Sequence, residues 1–453
     1  MAETGTMSWG LSHLFLTVFL FNLSHYMVVP AITDVCMAAL CPGEDECSLA
    51  IYLTGVQQTI IGIGSLVMMP LIGKLSDLYG RKLLLTFPLI FAIFPTGILA
   101  YSREKGYFYA YFVLNTLTSM VCEETVFSLS LAYLADNVAE QRRSAAFGIL
   151  SGVISCSFVS GNLLSRFLPS TASIFQVSAA CALASAIYMI VFLPESNMAA
   201  TVIAAAVTSN EETVNECLLE KRNIDNPRSV RLILFLQESI SMLRSSWTFS
   251  QAAIVAFVST LGDLGLLSAL LYYLKAEFHF NKDQFADLMI IQGIGGIISQ
   301  MILLPMLARV INEEKTLAIG LAFNCIHIFL FAVAWSRWVV YLASALQILS
   351  EVAGPSVSGL FQLRSIVSKQ VGPTEQGKAQ GCITGLSSLA CIISPLIFSP
   401  LTALFLSDHP PFRFPGFSLL CVTFTMMIAF IQSMMIKTTL DVPRISEEID
   451  GDA

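Results

Sequence analysis

The chain reads Gly73 Lys74 Leu75 Ser76 Asp77 Leu78 Tyr79 Gly80 Arg81 Lys82 between its second and third apolar stretches. We call these ten residues the charged turn. Ionised side chains are costly inside hydrocarbon, so a cluster of them marks a place where the chain leaves an apolar environment. Glycine allows the backbone to reverse tightly. A second charged run, from Asp136 to Arg143, follows about two apolar stretches later.

The composition predicts an all-α integral membrane protein. Of 453 residues 55% are hydrophobic and 12% charged, and the mean hydropathy is +0.73, which leaves too few polar side chains to cover a soluble globule. About 20 apolar residues cross the hydrocarbon as a helix. Twelve such stretches are present: 11–33, 50–73, 83–101, 107–135, 147–168, 172–193, 250–276, 284–308, 315–335, 339–365, 379–406 and 415–437.

Six stretches lie on each side of a polar segment, which predicts two pseudo-symmetric six-helix halves. The expected organisation is a first half at 1–193, a cytosolic linker at 194–249, a second half at 250–437 and an acidic tail at 438–453. Within the linker, Arg228 to Arg244 has one apolar face and basic ends, which favours an amphipathic helix on the inner leaflet or against the bundle.

The basic residues predict the orientation. Most of the 24 Lys and Arg residues fall on one side if both termini and the loops after even-numbered helices are cytosolic. The net charge of −8 comes partly from the linker and the tail, and the dispersed basic residues predict no nucleic-acid partner. We expect a monomer in the plasma membrane or an endomembrane such as the vacuole. Cys41 and Cys47 flank the first non-cytosolic loop, as a disulfide or as free thiols.

The charged turn, with its pattern G-x-L-S-D-x-x-G-R-K, resembles the loop between helices 2 and 3 of major facilitator superfamily transporters. The resemblance implies that Asp77 caps helix 11 of the other half and that Arg81 pairs with Asp136. Together with Gly73 and Gly80 these residues would form a latch for one conformation. The alternative is that the basic residues of the turn only fix the topology.

Residues 367–402 and Ala132 to Asp136 resemble the tetracycline-resistance branch of that family. The opening stretches, residues 11–15 and 27–30, resemble hippocampus-abundant-transcript-like proteins, which include plant members. Three departures argue against the drug/proton antiport of the resistance proteins: Asn115 stands where those carry Arg, Gly161-Asn162 replaces a Gly-Pro pair, and Asn22 replaces an Asp.

A polar line on helix 10 supplies the first candidate site. At 100° per residue five side chains fall near one line of this helix: Ser344, Gln347, Glu351, Ser358 and Gln362. A carboxyl group in a membrane helix needs a cavity or a partner. We expect Glu351 to change protonation during transport; the alternative is a permanently neutral acid that is hydrogen-bonded to a neighbouring helix.

Three further helices carry candidates for binding the solute or a proton. Glu123 lies on a polar face of helix 4, and Asn22, His25 and Tyr26 share one face of helix 1. Asp263 on helix 7 is a third carboxylate. The resemblance implies that helices 1, 4, 7 and 10 line a central cavity, where these residues would meet Glu351; structural hydrogen bonding is the alternative for each of them. Asn324 and His327 on helix 9 are interpreted as structural.

The function predicted from the sequence is secondary active transport of a small organic solute by alternating access. The solute, protons and the lipid bilayer are the expected partners. A facilitative carrier, in which the carboxylates bind only the solute, is the runner-up, and a non-transporting receptor or scaffold comes third. No recognisable catalytic set, nucleotide loop or metal-ligand spacing is present in the sequence, so we predict no enzyme activity, no cofactor and no metal.

Overall fold

The structure is a computed structural model that describes residues 2–43, 47–138, 140–195, 247–308, 310–351, 376–407 and 409–436. All regular elements in these ranges are helices. The amphipathic helix and the acidic tail fall outside the described residues, as do the polar positions of helix 10 beyond Glu351. The division into two halves, a linker and a tail stays a prediction.

The helices are numbered to follow the predicted membrane spans. α3 and α8 consist of consecutive pieces. Their bounds are α1 Ala2–Leu40, α2 Ser48–Tyr79, α3 Arg81–Phe91 and Ile93–Tyr101, α4 Lys105–Asn137, α5 Glu140–Phe167, α6 Thr171–Phe192, α7 Trp247–Phe278, α8 Lys282–Ile298 with Ser299–Leu303 and Leu304–Ala308, α9 Glu313–Ala332, α10 Arg337–Ser350, α11 Gln376–Phe405 and α12 Phe417–Met434.

Ten helices of the described chain are long and apolar enough to cross a membrane. The other two are α4, which carries Glu123 and Glu124 near its middle, and α10, of which 14 residues are described. The predicted fold class is therefore confirmed: the chain is an all-α, multi-pass membrane protein. Several helices extend beyond the predicted stretches, since a helix continues past the hydrocarbon region whereas hydropathy marks only its apolar part.

Two helices are interrupted within the membrane. α3 breaks at Ala92, where Pro95 has no N–H for the carbonyl of Phe91 four residues earlier. α8 widens into a π-helical turn at Ser299–Leu303, a feature that is common at functional positions of membrane and soluble helices. Arg81–Tyr101 and Lys282–Leu303, which contain these interruptions, are each long and apolar enough to cross a membrane as one span.

The helix contacts repeat with an offset of six helices. α1 packs against α5 and α6, as α7 packs against α11 and α12, and α3 packs against α4 and α6, as α9 packs against α10 and α12. The contacts between the two sets follow the same rule, because α2 packs against α11 and α8 packs against α5. Such a repeat is the arrangement expected of two related helix sets around a twofold axis.

Glycines allow these two inter-set crossings to be close. A Cβ atom at Gly55 of α2 would lie 2.4 Å from the side chain of Ser399 on α11, and one at Gly293 of α8 would lie 2.7 Å from Phe158 on α5. Small residues let membrane helices approach in this way. Both crossings are therefore close because glycine has no side chain at the point of contact.

The two ends of the bundle are packed differently. We call the end with the Cys41–Cys47 disulfide the disulfide end, and the end where α1 begins and α12 finishes the terminal end. At the disulfide end one buried apolar cluster draws residues from α1–α4, α6 and α7–α12. Towards the terminal end, one cluster is built from α1–α6 and a separate one from α7, α9, α11, α12 and Ile436. The two helix sets are therefore joined at the disulfide end.

Candidate functional site

The charged turn forms a tight junction between α2 and α3. α2 ends at Tyr79, and Gly80 follows with φ 95° and ψ 153°, while its N–H donates to the carbonyl of Ser76 at 3.1 Å. Residues with a Cβ atom rarely adopt this backbone conformation. A Cβ at this position would also lie 2.7 Å from Oε1 of Glu195. Both constraints select glycine at position 80.

Arg81 ties the turn to the end of α4. Its Nε donates to Oδ2 of Asp136 at 2.9 Å, and the two side chains are 15% and 10% exposed. The guanidinium also donates to the hydroxyl of Ser76. The pair that the resemblance implies is thus present, whereas its role as a latch stays a prediction. Gly73 and Asp77 lie in α2, but the side chain of Asp77 is outside the described part, so its capping of α11 stays a prediction as well.

Glu195, which follows α6, completes the junction. Its Oε1 accepts a hydrogen bond from the backbone N–H of Lys82 at 3.0 Å, in the first turn of α3. A carboxylate is favoured at a helix N-terminus by the free N–H groups and the helix dipole. Lys82 in turn donates from Nζ to the carbonyl of Ile190 at 3.0 Å. The start of the predicted linker is therefore fixed to the charged turn, which sequence reasoning missed.

The second helix set contains the two described carboxyl candidates. Nε2 of Gln347 donates to Oε1 of Glu351 at 3.1 Å on α10, and Nδ2 of Asn324 on α9 donates to Oδ1 of Asp263 on α7 at 3.2 Å. These two hydrogen-bonded pairs comprise four polar side chains of the second helix set, Glu351, Gln347, Asp263 and Asn324, which we call the polar group.

Within the described residues, the hydrogen-bonding capacity of this polar group is only partly used. Oε2 of Glu351 and Oε1 of Gln347 are covered from solvent and have no hydrogen-bond partner in the described part of the chain. An unpaired polar atom in such a place is costly. A proton on Glu351, or a polar ligand, would remove part of that cost. The arrangement is therefore suited to a group that gains or loses a proton.

The three candidates on α1 are placed separately. Nδ2 of Asn22 donates to the carbonyl of Val18 in its own helix at 2.9 Å. His25 is exposed and its ring lies 5.4 Å from that of Tyr26, which lies 4.9 Å edge-on from Phe158 of α5. Within the described residues, Asn22 and His25 form no hydrogen bond with the polar group of α7 and α10. The side chain of Glu123 is outside the described part, so its predicted role is untested.

Sequence reasoning missed the polar contacts that join the helix sets at the disulfide end. Nζ of Lys275 on α7 donates to Oδ1 of Asp34 on α1 at 2.8 Å. The hydroxyl of Tyr272 lies 2.5 Å from Oγ1 of Thr54 on α2, and Arg166 of α5 pairs with Asp287 of α8 at 2.9 Å. The sequence did contain a signal for the first of these contacts. Asp34 and Lys275 carry opposite charges near the same ends of helices 1 and 7, which the predicted symmetry relates.

Comparisons with known proteins agree with this architecture. A family model described as Major Facilitator Superfamily matches residues 14–248 and 252–448. The hippocampus abundant transcript 1 protein of Mus musculus is 27% identical over 351 residues, which cover 76% of this chain and 65% of that protein. The class E tetracycline resistance protein of Escherichia coli is 24% identical over 350 residues, 76% of this chain and 77% of that protein. This chain therefore spans less than two thirds of the length of the first relative.

Solved structures show the same fold. The human organic anion transporter MFSD10 (TETRAN) matches with a TM-score of 0.61 at 17% identity, over 94% of this chain and 99% of that one. A D-xylose-proton symporter matches with a TM-score of 0.68 at 15% identity, over 94% and 97%. Members of the matched family are transporters and not enzymes, in agreement with the sequence prediction. Because the family model covers nearly the whole chain, the protein belongs to the Major Facilitator Superfamily.

Proposed function

We propose that this protein is a secondary active transporter that moves a small organic solute by alternating access, with proton coupling through Glu351. Family membership and the fold support solute transport. The carboxyl group of Glu351 supports proton coupling, because its covered Oε2 has no hydrogen-bond partner among the described residues. A proton on Glu351 would supply a hydrogen-bond donor and remove a charge from this covered place.

The packing of the two ends supports alternating access. The helix sets share a buried cluster at the disulfide end and have separate clusters towards the terminal end. If both termini are cytosolic, as the basic residues predict, this conformation is closed to the outside and open to the cytosol. Rocking of one set against the other about the α2–α11 and α5–α8 crossings would produce the opposite state.

The test begins with a solute. A thermal-shift screen of the purified protein against metabolite and drug panels identifies compounds that stabilise it, because a ligand raises the stability of the state that it binds. Uptake of the best compound is then measured in proteoliposomes with and without an imposed pH gradient. We expect the gradient to drive uptake by the wild type and by Glu277→Gln, a control at an exposed carboxyl outside the polar group, but not by Glu351→Gln.

Two outcomes contradict parts of this proposal. If uptake by Glu351→Gln follows the gradient as the wild type does, Glu351 is not the coupling site. If the wild type transports without regard to the gradient, the protein is a facilitative carrier, in which Glu351 and Gln347 bind only the solute.

A further inference from the structure

The Cys41–Cys47 disulfide joins the end of α1 to the start of α2. Its two Cα atoms lie 6.0 Å apart, and the cysteines are separated by six positions in the sequence. α1 ends at Leu40, and Cys47 is the N-cap residue of α2. These two helices pack mainly against others, α1 against α5 and α6 and α2 against α4 and α11. The disulfide is therefore a covalent link between two helix ends that pack little against each other.

Both linked helix ends contact the same residue of the second helix set. The hydroxyl of Tyr272 on α7 lies 3.8 Å from Sγ of Cys36 on α1. It also lies 2.5 Å from Oγ1 of Thr54 and 3.3 Å from the carbonyl oxygen of Ala50, both on α2. Tyr272 is 8% exposed, and a buried hydroxyl needs hydrogen-bond partners within the protein. Contacts from two helices to one hydroxyl require that the two helix ends keep a fixed spacing.

Each linked helix end makes a further contact with the second helix set. Nζ of Lys275 on α7 donates to Oδ1 of Asp34 on α1 at 2.8 Å. Oγ of Ser48, the first residue of α2, donates to the carbonyl oxygen of Ala403 on α11 at 3.3 Å. Cys47, directly before Ser48, is 4% exposed and belongs to the apolar cluster that both helix sets share. The disulfide therefore lies close in the chain to the residues that join the two sets at this end.

The disulfide can be reached from one side. Cys41 is partly exposed and is followed by the exposed Pro42 and Gly43, whereas Cys47 is buried. Exposed disulfides are the ones that exchange readily with thiols. The thiolate of a dithiol attacks Sγ of Cys41, the bond between the two cysteines breaks, and Cys47 leaves as a thiolate. The second thiol of the reductant then releases Cys41, so that two electrons and two protons pass from the dithiol, which becomes a disulfide.

We infer that the Cys41–Cys47 pair is a redox switch for the disulfide end. As a disulfide it keeps α1 and α2 at the spacing at which both contact α7, and it favours the conformation that is closed at this end. Reduction by a dithiol removes the link, so the start of α2 separates more readily from α7 and α11 and the disulfide end opens more often. If both termini are cytosolic, the switch faces the non-cytosolic side, where disulfides form and persist. Its effect on transport rests on the proposed alternating access.

Cys36, a free thiol that is 5% exposed, reports the opening of this end without a solute or a gradient. The full chain in lipid nanodiscs is treated with N-ethylmaleimide, either oxidised or after reduction with dithiothreitol and removal of the reductant under nitrogen. Mass spectrometry follows the alkylation. No Lys or Arg precedes Lys74, so one tryptic peptide carries Cys36 and the pair, and its fragment ions distinguish them. We expect Cys36 to react about fivefold faster after reduction, which corresponds to a modest shift of the conformational equilibrium.

Variants separate the link from the treatment with reductant. Cys41→Ala combined with Cys47→Ala removes the link and should give Cys36 the rate of the reduced wild type without any reductant. Cys156→Ser combined with Cys181→Ser is the matched control, because it removes two free thiols of the same helix set outside the shared apolar cluster. In this control Cys36 should keep the rate of the oxidised wild type.

Two buried thiols outside the shared cluster, Cys122 on α4 and Cys382 on α11, are internal controls and should keep their rates in all samples. The inference is overturned if the dithiol leaves the pair oxidised in the folded protein, or if Cys36 keeps the oxidised rate after reduction or in the double alanine variant. It is equally overturned if Cys122 and Cys382 accelerate as much as Cys36, because the disulfide then stabilises the whole fold. These rates need no solute, so a negative result for proton coupling at Glu351 leaves the inference standing.

Discussion

The backbone of the charged turn allows only glycine at position 80. Replacing it with alanine puts a Cβ atom on a residue with φ 95°, against Glu195. Such a backbone conformation costs a residue other than glycine about 1–3 kcal/mol. We expect Gly80→Ala to lower the thermal midpoint of the purified protein, whereas Gly97→Ala on α3, where a Cβ atom meets nothing within 4 Å, should not lower it. Equal midpoints for the two variants would mean that the turn relaxes without strain.

Arg81 and Asp136 form an ion pair that is mostly covered from water. The effects of their substitutions on the free energy of unfolding should therefore not be additive. Removing either partner leaves the other charge in a place that is mostly covered from water. We expect a double-mutant cycle with Arg81→Gln and Asp136→Asn to give a coupling free energy of about 1–3 kcal/mol. The measurement is the free energy of unfolding in a denaturant series. A coupling near zero would show that the pair sets topology without stabilising the fold.

The charged turn also shows what a local sequence pattern reveals about a site. The pairing of Arg81 with Asp136 followed from the family resemblance, because both residues belong to short motifs that can be recognised in the chain. The role of Glu195 did not, since it depends on where the chain arrives after six helices. The same is true of the hydrogen bond between Asn324 on α9 and Asp263 on α7, two residues that are 61 positions apart in the sequence.

At the scale of the helix, Gly55 controls how closely α2 and α11 approach. A Cβ atom there would lie 2.4 Å from both Cβ and Oγ of Ser399, and a Cβ atom does not move without its backbone. We expect Gly55→Ala to disfavour the conformation that is closed at the disulfide end. Cys36, which is 5% exposed and lies in the cluster that joins the two sets, should then react about fivefold faster with a maleimide for each kcal/mol of that cost.

Gly296→Ala is the matched control for this prediction. It lies on α8, where an added Cβ atom meets no other atom within 4 Å, and it gains the same intrinsic helix propensity as Gly55→Ala. Its Cys36 reactivity should equal that of the wild type. If both variants react at the wild-type rate, the α2–α11 crossing tolerates a methyl group and does not govern opening.

Hydropathy located the helices well and their interruptions poorly. The order of the apolar stretches agrees with the helices of the described residues, because membrane burial depends on a local property of about 20 residues. The π-helical turn of α8 ends two residues before Pro305, which has no N–H for the carbonyl of Met301 four residues earlier, but hydropathy does not register such a breaker. The α5–α8 crossing at Gly293 could be recognised as a close contact only once its partner, Phe158, was known. That crossing was therefore not predictable from the sequence.

At the scale of the whole molecule, the closed disulfide end is held by contacts of unequal strength. The apolar cluster that includes Cys36, Tyr272 and Tyr273 is continuous across both helix sets, so the closed end is stabilised mainly by burial. The Arg166–Asp287 pair is about 41% exposed on each side, and exposed pairs contribute little. The Lys275–Asp34 pair is 16% and 22% exposed, which makes it the stronger of the two ion pairs.

Lys275 should therefore stabilise the conformation that is closed at the disulfide end. In Lys275→Gln the carboxylate of Asp34 loses a charged partner in the closed end, at a cost of about 1.5–3 kcal/mol, so the closed conformation is less populated and Cys36 reacts faster with a maleimide. Arg166→Gln should change that rate by less than the equivalent of about 1 kcal/mol. The charge-exchanged double variant, Asp34→Lys with Lys275→Asp, restores the pair and should return the rate towards that of the wild type. The apolar cluster alone keeps this end closed if Lys275→Gln leaves the rate unchanged. The same conclusion follows if the free-energy effect of the double variant equals the sum of the effects of Asp34→Lys and Lys275→Asp.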